Sequence, residues 1–192
     1  MMKRFQIIIM MILLLCTLSG CTNYAKKYDE NTLVVKRNGS LVEIAVENFE
    51  DSSVKAEDLT SYIEGQIDDY NTEQGEKLVK NKSIDTEDMS RVKLILAYKD
   101  MEAYNGFNLL DCVLDDFSNV EEDKIKGTFT SMAGESTKAS EIEGTDKAKV
   151  LILSEAANVV VKGDILYYNE EVSVTDDVVS TTGDKNAIII FK

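Results

Sequence analysis

The C-terminal stretch of the chain constrains the fold most. Residues 150–153, 159–162, 165–168, 172–175, 178–182 and 187–191 are short β-rich runs. Gly163-Asp164, Asp176-Asp177 and Gly183-Asp184 supply turn residues between them; glycine and aspartate accept tight-turn backbone angles at little cost. Strands joined by such short links pair antiparallel, because parallel neighbours need a crossover of about a dozen residues or more. This region therefore reads as an antiparallel β-meander.

The N-terminal half adds a hairpin, a helix and a strand pair. Asn38-Gly39 lies between apolar runs beginning at Leu33 and ending at Val46, which favours a two-residue type I′ turn. That turn has Arg37 facing Ser40, Val35 facing Val42 and Leu33 facing Ile44. Leu33, Val35, Val42, Ile44 and Val46 would then share one apolar face, with Lys36 and Glu43 on the other. Ala56, Leu59, Tyr62, Ile63, Ile67 and Tyr70 recur at helical spacing, so 56–72 is expected to be a helix. Ser52 or Ser53 is its expected cap, Glu57 and Asp58 suit the positive end of its dipole, and Gly75 suits its C-terminal stop.

Residues 91–98 alternate as a central strand, with 77–83 as its neighbour. Leu109, Leu110, Val113, Leu114 and Phe117 follow a helical period, so 109–117 is expected to be helical, separated by Gly106 and Asn108 from a short preceding helix. Residues 131–147 are small, polar and charged, and read as a long loop. The fold class expected is α+β: an N-terminal β-hairpin, an amphipathic helix, and an antiparallel sheet with a C-terminal β-meander.

The first residues carry an address. Lys3 and Arg4 precede ten apolar residues from Ile7 to Cys16, the layout of a secretory signal peptide. The run is shorter than the ~20 residues a transmembrane helix needs. Leu18-Ser19-Gly20-Cys21 resembles a bacterial lipobox. That resemblance implies cleavage before Cys21, a diacylglyceryl group on its thiol and further acylation, such as palmitate, of its amine. Two acyl chains hold a protein stably on a membrane, at ~0.8 kcal/mol per buried methylene. Residues 22–31 are polar and read as a tether. The expected organisation is a signal peptide over 1–20, the lipidated Cys21 and tether over 21–31, and one α+β domain over 32–192.

Charge and composition exclude several functions. The 192 residues carry 21 basic and 35 acidic side chains, a net charge of −14. Removing residues 1–20 takes away Lys3 and Arg4 and no acid, leaving −16 on 172 residues. Such a surface repels nucleic acid and anionic headgroups. With Cys16 removed and Cys21 lipidated, Cys112 stands alone and no intrachain disulfide forms. Its apolar neighbours Leu109, Leu110, Val113 and Leu114 mark it as a core residue. The chain has no histidine, which removes Ser-His-Asp and Cys-His catalysis and histidine metal sites.

Carboxylates are the abundant reactive groups that remain. Asp68-Asp69, Asp111 with Asp115 and Asp116, Glu121-Glu122-Asp123 and Asp176-Asp177 are the clusters, with Asp111 and Asp115 expected on one helix face. None has the spacing of an EF-hand loop. A pair of acids could serve glycoside hydrolysis. Ser131, Ser136 and Lys138 offer a serine–lysine combination in the loop region, outside any known motif. Tyr167-Tyr168 and Tyr104 with Phe107 could line a ligand groove or serve the core. No phosphate-binding glycine loop occurs.

Several segments together resemble a family. The hairpin of 32–46, the acidic helix of 59–71, the strand of 92–98, the Tyr-x-x-Phe-Asn segment of 104–108 and the closing strand of 187–192 are similar to uncharacterised small lipoproteins of Gram-positive bacteria. The resemblance implies an outward-facing, membrane-anchored α+β domain and assigns no chemistry. The function expected is a non-catalytic binding or interaction module, held to the cell membrane through Cys21, with an envelope protein or glycan as partner, no nucleic acid and no cofactor. The alternative is a carboxylate-dependent glycan-acting enzyme or calcium-dependent binder.

Overall fold

The computed structural model describes residues 24–175 and 178–192. The expected signal peptide, the lipobox-like Leu18-Ser19-Gly20-Cys21 and the expected turn residues Asp176-Asp177 lie outside the described residues. Among the described residues, three helices and two mostly antiparallel sheets make an α+β fold dominated by strands.

The seven-stranded sheet contains β1 (Thr32–Val35), β2 (Leu41–Glu47), β3 (Val79–Asp85), β4 (Val92–Tyr98), β9 (Asn158–Val161), β11 (Val172–Thr175) and β12 (Val178–Thr181). Its spatial order is β11-β12-β9-β1-β2-β4-β3. The six-stranded sheet contains β5 (Val113–Asp116), β6 (Thr128–Ser131), β7 (Ser136–Lys138), β8 (Lys149–Leu153), β10 (Ile165–Asn169) and β13 (Ala187–Phe191), in the order β5-β8-β13-β10-β6-β7. The C-terminal strands form where expected but do not pair in chain order. β11 and β12 make a hairpin, while β9 runs parallel to β1 and β13 lies between β8 and β10.

The inner faces of the two sheets meet in the main core. Leu33, Val35, Leu41, Leu96 and Tyr98 from one pack with Leu151, Leu153, Ile189 and Phe191 from the other. Helix α2 (Ala56–Gln74) covers the β3–β4 end of this inner face, burying Leu59 and Ile67. Lys55 is its N-cap, without a side-chain bond. The expected cap Ser52 instead accepts from Val54 N within the preceding turn, at 3.3 Å. Gly75 ends the helix as expected, with φ 69°. The side chain of Asn71 then bonds Leu78 N, Val79 N and Val79 O, which fixes the helix end to β3.

The N-terminal hairpin forms with its register shifted by one residue from expectation. Lys36 N donates to Ser40 O at 2.9 Å, and Gly39 N to Lys36 O at 3.0 Å. Gly39 has φ 83°. This is a three-residue loop with a left-handed glycine at its end, supported by Asn38 Oδ1 accepting from Ser40 N and Oγ. Val34 therefore pairs with Val42, and Leu33 with Glu43. All of β1 is buried, on both faces, so the apolar pattern could not select between registers and the turn decides. A one-residue slip exchanges the faces of a strand. Glu43 thus points inward, while Val34, Val42 and Ile44 form an outer cluster with Ile95.

Residues 109–117 are not a helix. Helix α3 (Met101–Asn108) ends at Leu109, whose φ is 56°. The Asn105 amide bonds both Cys112 N and Cys112 O, turning the chain into β5. Leu114 packs on the main core and Val113 on a second cluster behind the six-stranded sheet. Two consecutive apolar residues that pack on opposite sides of a half-buried strand break its alternation and mimic a helical apolar run. Gly106 lies inside α3 rather than breaking it.

Two further expectations change. Residues 131–147 are partly ordered: β6 and β7 pair as a hairpin, and Ala139–Glu141 forms a 3-10 turn. The expected tether is docked from Tyr24 onward. Helix α1 (Tyr24–Lys27) places Tyr24, Ala25 and Tyr28 on the outer cluster of the seven-stranded sheet. Lys93, buried on β4, donates to Ala25 O, Tyr28 O and Asp29 Oδ1 at 2.7, 3.0 and 2.9 Å. Arg91 holds Asp29 from the other side.

Candidate functional site

Two features bring polar chemistry together, and both arise on the inner side of the seven-stranded sheet. The first is a groove. On α2 the helical repeat places Tyr62, Gln66, Asp69 and Glu73 along one side, and Ile63 and Tyr70 beside them. Leu94 and Leu96 of β4 and Phe107 of α3 complete it, enclosing about 410 Å³, a size that suits a small molecule or a few side chains. Phe107 meets Tyr70 edge-on, with centroids 5.6 Å apart. Tyr62 is 65 % exposed, an aromatic side chain held at the rim. Burial, followed by the nearby Asp100, Glu102 and Glu73, pushes the Tyr70 hydroxyl above its usual pKa.

Gly106 shapes this groove. A Cβ there would lie 2.5 Å from the Tyr70 hydroxyl oxygen, so a glycine is what allows α3 to approach α2.

The second feature is a buried carboxylate network. Tyr98 donates to Glu43 Oε2 at 2.5 Å and receives the Asn108 amide at 3.2 Å. Tyr104 donates to Glu155 Oε1. The two tyrosine rings meet edge-on, 5.0 Å between centroids. Burial raises the Glu43 pKa, opposed by the Tyr98 hydrogen bond and reinforced by the Glu155 charge. Burial likewise raises Glu155, against the Tyr104 hydrogen bond. Both tyrosines are pushed upward, by desolvation and then by the Glu43 charge, and remain protonated donors. Neither glutamate lines the groove. Each is already an acceptor for a tyrosine, so the network's visible work is to satisfy polar groups at the meeting of β2, β4, α3 and the segment after β8.

The acids singled out in the sequence do not converge. Asp69 lines the groove while Asp68 is exposed. With 109–117 extended, Asp111 and Asp115 do not share a helix face. Asp115 instead binds Asp116 N and Asn119, and Asp116 pairs with Lys149. Glu121, Glu122 and Asp123 lie exposed before Ile125. Among the described residues, no group of three or more acidic or cysteine side chains is placed to hold a metal ion. Ser131 accepts from Glu135 N, and Ser136 and Lys138 are in β7, with no serine–lysine bond between them.

Cys112 is buried in the core, and burial raises its pKa. Tyr104 and Tyr168 serve the main core and Tyr167 the second cluster, so Phe107 alone of the four proposed aromatics reaches the groove.

Glu43 and Glu155 escaped the sequence reading. A three-residue hairpin loop would have turned Glu43 inward, since Asn-Gly is compatible with either loop. No signal in the sequence marks Glu155.

A larger cavity of about 640 Å³ lies between the 117–127 and 138–142 segments, behind the six-stranded sheet. It has one half-buried aromatic, Phe117, and lacks the aromatic rim of the α2 groove. Among the described residues no helix is long and apolar enough to cross a membrane. Comparison with known protein families, with curated proteins and with solved structures returns no match.

Proposed function

We propose that this protein is a lipid-anchored, outward-facing interaction module that binds a basic, apolar-studded segment of another envelope protein in the α2 groove. One observation carries the reading: the groove opens on the face of the seven-stranded sheet opposite to the one on which the N-terminal segment packs. Leu94 and Leu96 face the groove, while Ile95 and Ala97 of the same strand face Tyr24 and Tyr28. A chain held through Cys21 therefore presents the groove away from its anchor. Tyr62, Ile63, Tyr70 and Phe107 offer apolar and aromatic contact, and Asp69 and Glu73 offer charge for a cationic partner. An aromatic anchor inside a polar rim is the usual anatomy of a binding hot spot. The lipobox-like Leu18-Ser19-Gly20-Cys21 and the resemblance to small Gram-positive lipoproteins support the membrane address.

The test is site-specific photocrosslinking of the full chain in native membranes, with the reactive residue at Gln66 and, as a control, at Ser136 on β7. A dominant crosslink to one envelope protein from position 66 and not from 136 is expected. It should be lost with Asp69→Lys plus Glu73→Lys. Equal patterns from both positions would overturn the assignment of the groove. Crosslinking to glycan alone would redirect it to a polymer ligand.

A further inference from the structure

We infer that the domain is seated on anionic lipid headgroups through the outer face of its seven-stranded sheet, rather than suspended above the membrane. This rests on the anchor reading above, and two observations carry it.

The first is the length of chain between anchor and domain. Thr22 and Asn23 alone separate Cys21 from Tyr24. At most ~3.3–3.6 Å per residue, that link reaches about 10–11 Å. Tyr24 itself is packed on the outer cluster, beside Tyr28 with ring centroids 6.3 Å apart. Lys93 fastens this segment from below. A lipidated Cys21 at the bilayer surface therefore keeps Tyr24, and the outer sheet face on which it packs, within about 10–11 Å of that surface.

The second is charge. The mature chain is strongly acidic, yet this face is not. Lys26 and Lys27 are exposed on α1, and Lys27 Nζ lies 5.1 Å from the Tyr28 ring centroid. Lys80 is opposite Ala97, which packs on the outer cluster, so its position faces outward. Alternation from Val34 and Val160, both on the outer cluster, puts Lys36 and Lys162 at outward positions too. Among the described residues, acids on this side are Asp29, held by Lys93 and Arg91, Glu30, which accepts the Asn158 amide, and Asp85, which is opposite Lys93. Among the described residues charge is thus segregated: a basic face with two tyrosines lies next to the anchor, and most acids lie elsewhere. The overall charge predicts repulsion from anionic headgroups, whereas this face predicts attraction. Each lysine close to an anionic leaflet shifts the equilibrium by about fivefold. Salt weakens the effect, because the Debye length is ~8 Å at physiological ionic strength.

The experiment uses the lipidated full chain on vesicles. A fluorophore is placed at Ser173→Cys, an exposed outward position on β11, or at Ser136→Cys on β7. A headgroup-attached nitroxide lipid serves as quencher. On vesicles of phosphatidylcholine mixed with phosphatidylglycerol, the Ser173 label is expected to be quenched several-fold more than the Ser136 label. Lys26→Glu, Lys27→Glu and Lys80→Glu together should abolish that contrast while the chain still sediments with vesicles, as should replacing the mixture by phosphatidylcholine alone. Equal quenching at both positions on anionic vesicles, with the chain still sedimenting, would overturn the seating and leave the anchor intact. A contrast that survives charge reversal would overturn the role of the basic face. A chain that does not sediment with any vesicle would overturn the anchor, and the seating with it.

Discussion

Replacing Tyr98 by phenylalanine removes one hydroxyl, and the two hydrogen bonds it makes, from the buried network. The ring stays and its contacts with Tyr104 and Phe107 are kept, so the change removes only the hydroxyl. Glu43 Oε2 loses a 2.5 Å donor, and the Asn108 amide loses its acceptor. A hydrogen bond to a charged group contributes about 1.5–3 kcal/mol, a neutral one about 0.5–1.5 kcal/mol. The loss should therefore depend on the charge of Glu43. Burial raises its pKa above the ordinary 4.5, and the Tyr98 bond works against that rise. Without the hydroxyl the pKa rises further. Over the interval where wild-type Glu43 is ionised and the variant's is still protonated, the native variant holds the extra proton. Stability falls with pH wherever the native state binds more protons than the unfolded state. The variant's deficit must then grow once pH passes the wild-type Glu43 pKa, which burial holds above 4.5.

We expect a loss of about 0.5–1.5 kcal/mol at pH 4 and about 1.5–3 kcal/mol at a pH above the raised Glu43 pKa. For a domain of this size the larger loss corresponds to a fall in Tm of roughly 3–12 °C. Urea unfolding followed by far-ultraviolet circular dichroism at the two pH values reads the difference. An equal loss at both pH values, or a larger loss at pH 4, would refute the assignment of Glu43 as a buried, titrating acceptor.

Other substitutions probe the remaining elements. Lys93→Met should release the N-terminal segment from β4 and speed amide exchange at Tyr28 by roughly tenfold, the equivalent of one lost charge-assisted hydrogen bond; unchanged exchange would mean that the segment is held by its tyrosines alone. Gly106→Ala should cost about 1–3 kcal/mol by overpacking against Tyr70. Gly65→Ala, in α2 with no atom within 4 Å of the new Cβ, should stabilise by about 0.4–1 kcal/mol; denaturant midpoints of the two variants that move in the same direction would contradict the packing described. Tyr62→Ala, at the exposed rim, should change stability by less than about 0.5 kcal/mol while markedly lowering the crosslink yield from Gln66. A large loss of stability there would make Tyr62 a structural residue instead.

α2 was legible because one of its faces is wet, and β4 although both of its faces are covered. α2 shows its 3.6-residue period because Asp58, Glu64 and Asp68 are exposed opposite Leu59, Ile63 and Ile67. β4 alternates cleanly, since Leu94 and Leu96 serve one cluster while Ile95 and Ala97 serve another. The failures lie in β1, buried on both faces, and in β5, whose apolar residues fall on both sides of a half-buried strand. Apolar pattern carries no register in β1, so the hairpin turn alone set it, and Glu43 was assigned to the wrong side. Val113 and Leu114 serve different clusters, and their run mimicked a helix. The candidate groove was half legible. Tyr62, Ile63 and Tyr70 belonged to the expected helix and Phe107 to the suspected aromatics, but their meeting depends on the close approach allowed by Gly106. Charge segregation was hidden for a related reason: whether Lys80 and Lys162 share a face depends on a seven-strand order that no local pattern encodes.

The central claim is that the chain is held to a membrane through Cys21, and intact-mass analysis of the protein extracted from membranes tests it most directly. The mature chain should begin at Cys21 and carry the added mass of a diacylglyceryl group, with or without a further acyl chain, and Cys21→Ala should abolish both the added mass and the cleavage. A membrane-extracted chain that begins at another residue, or at Cys21 without added lipid mass, would contradict the claim.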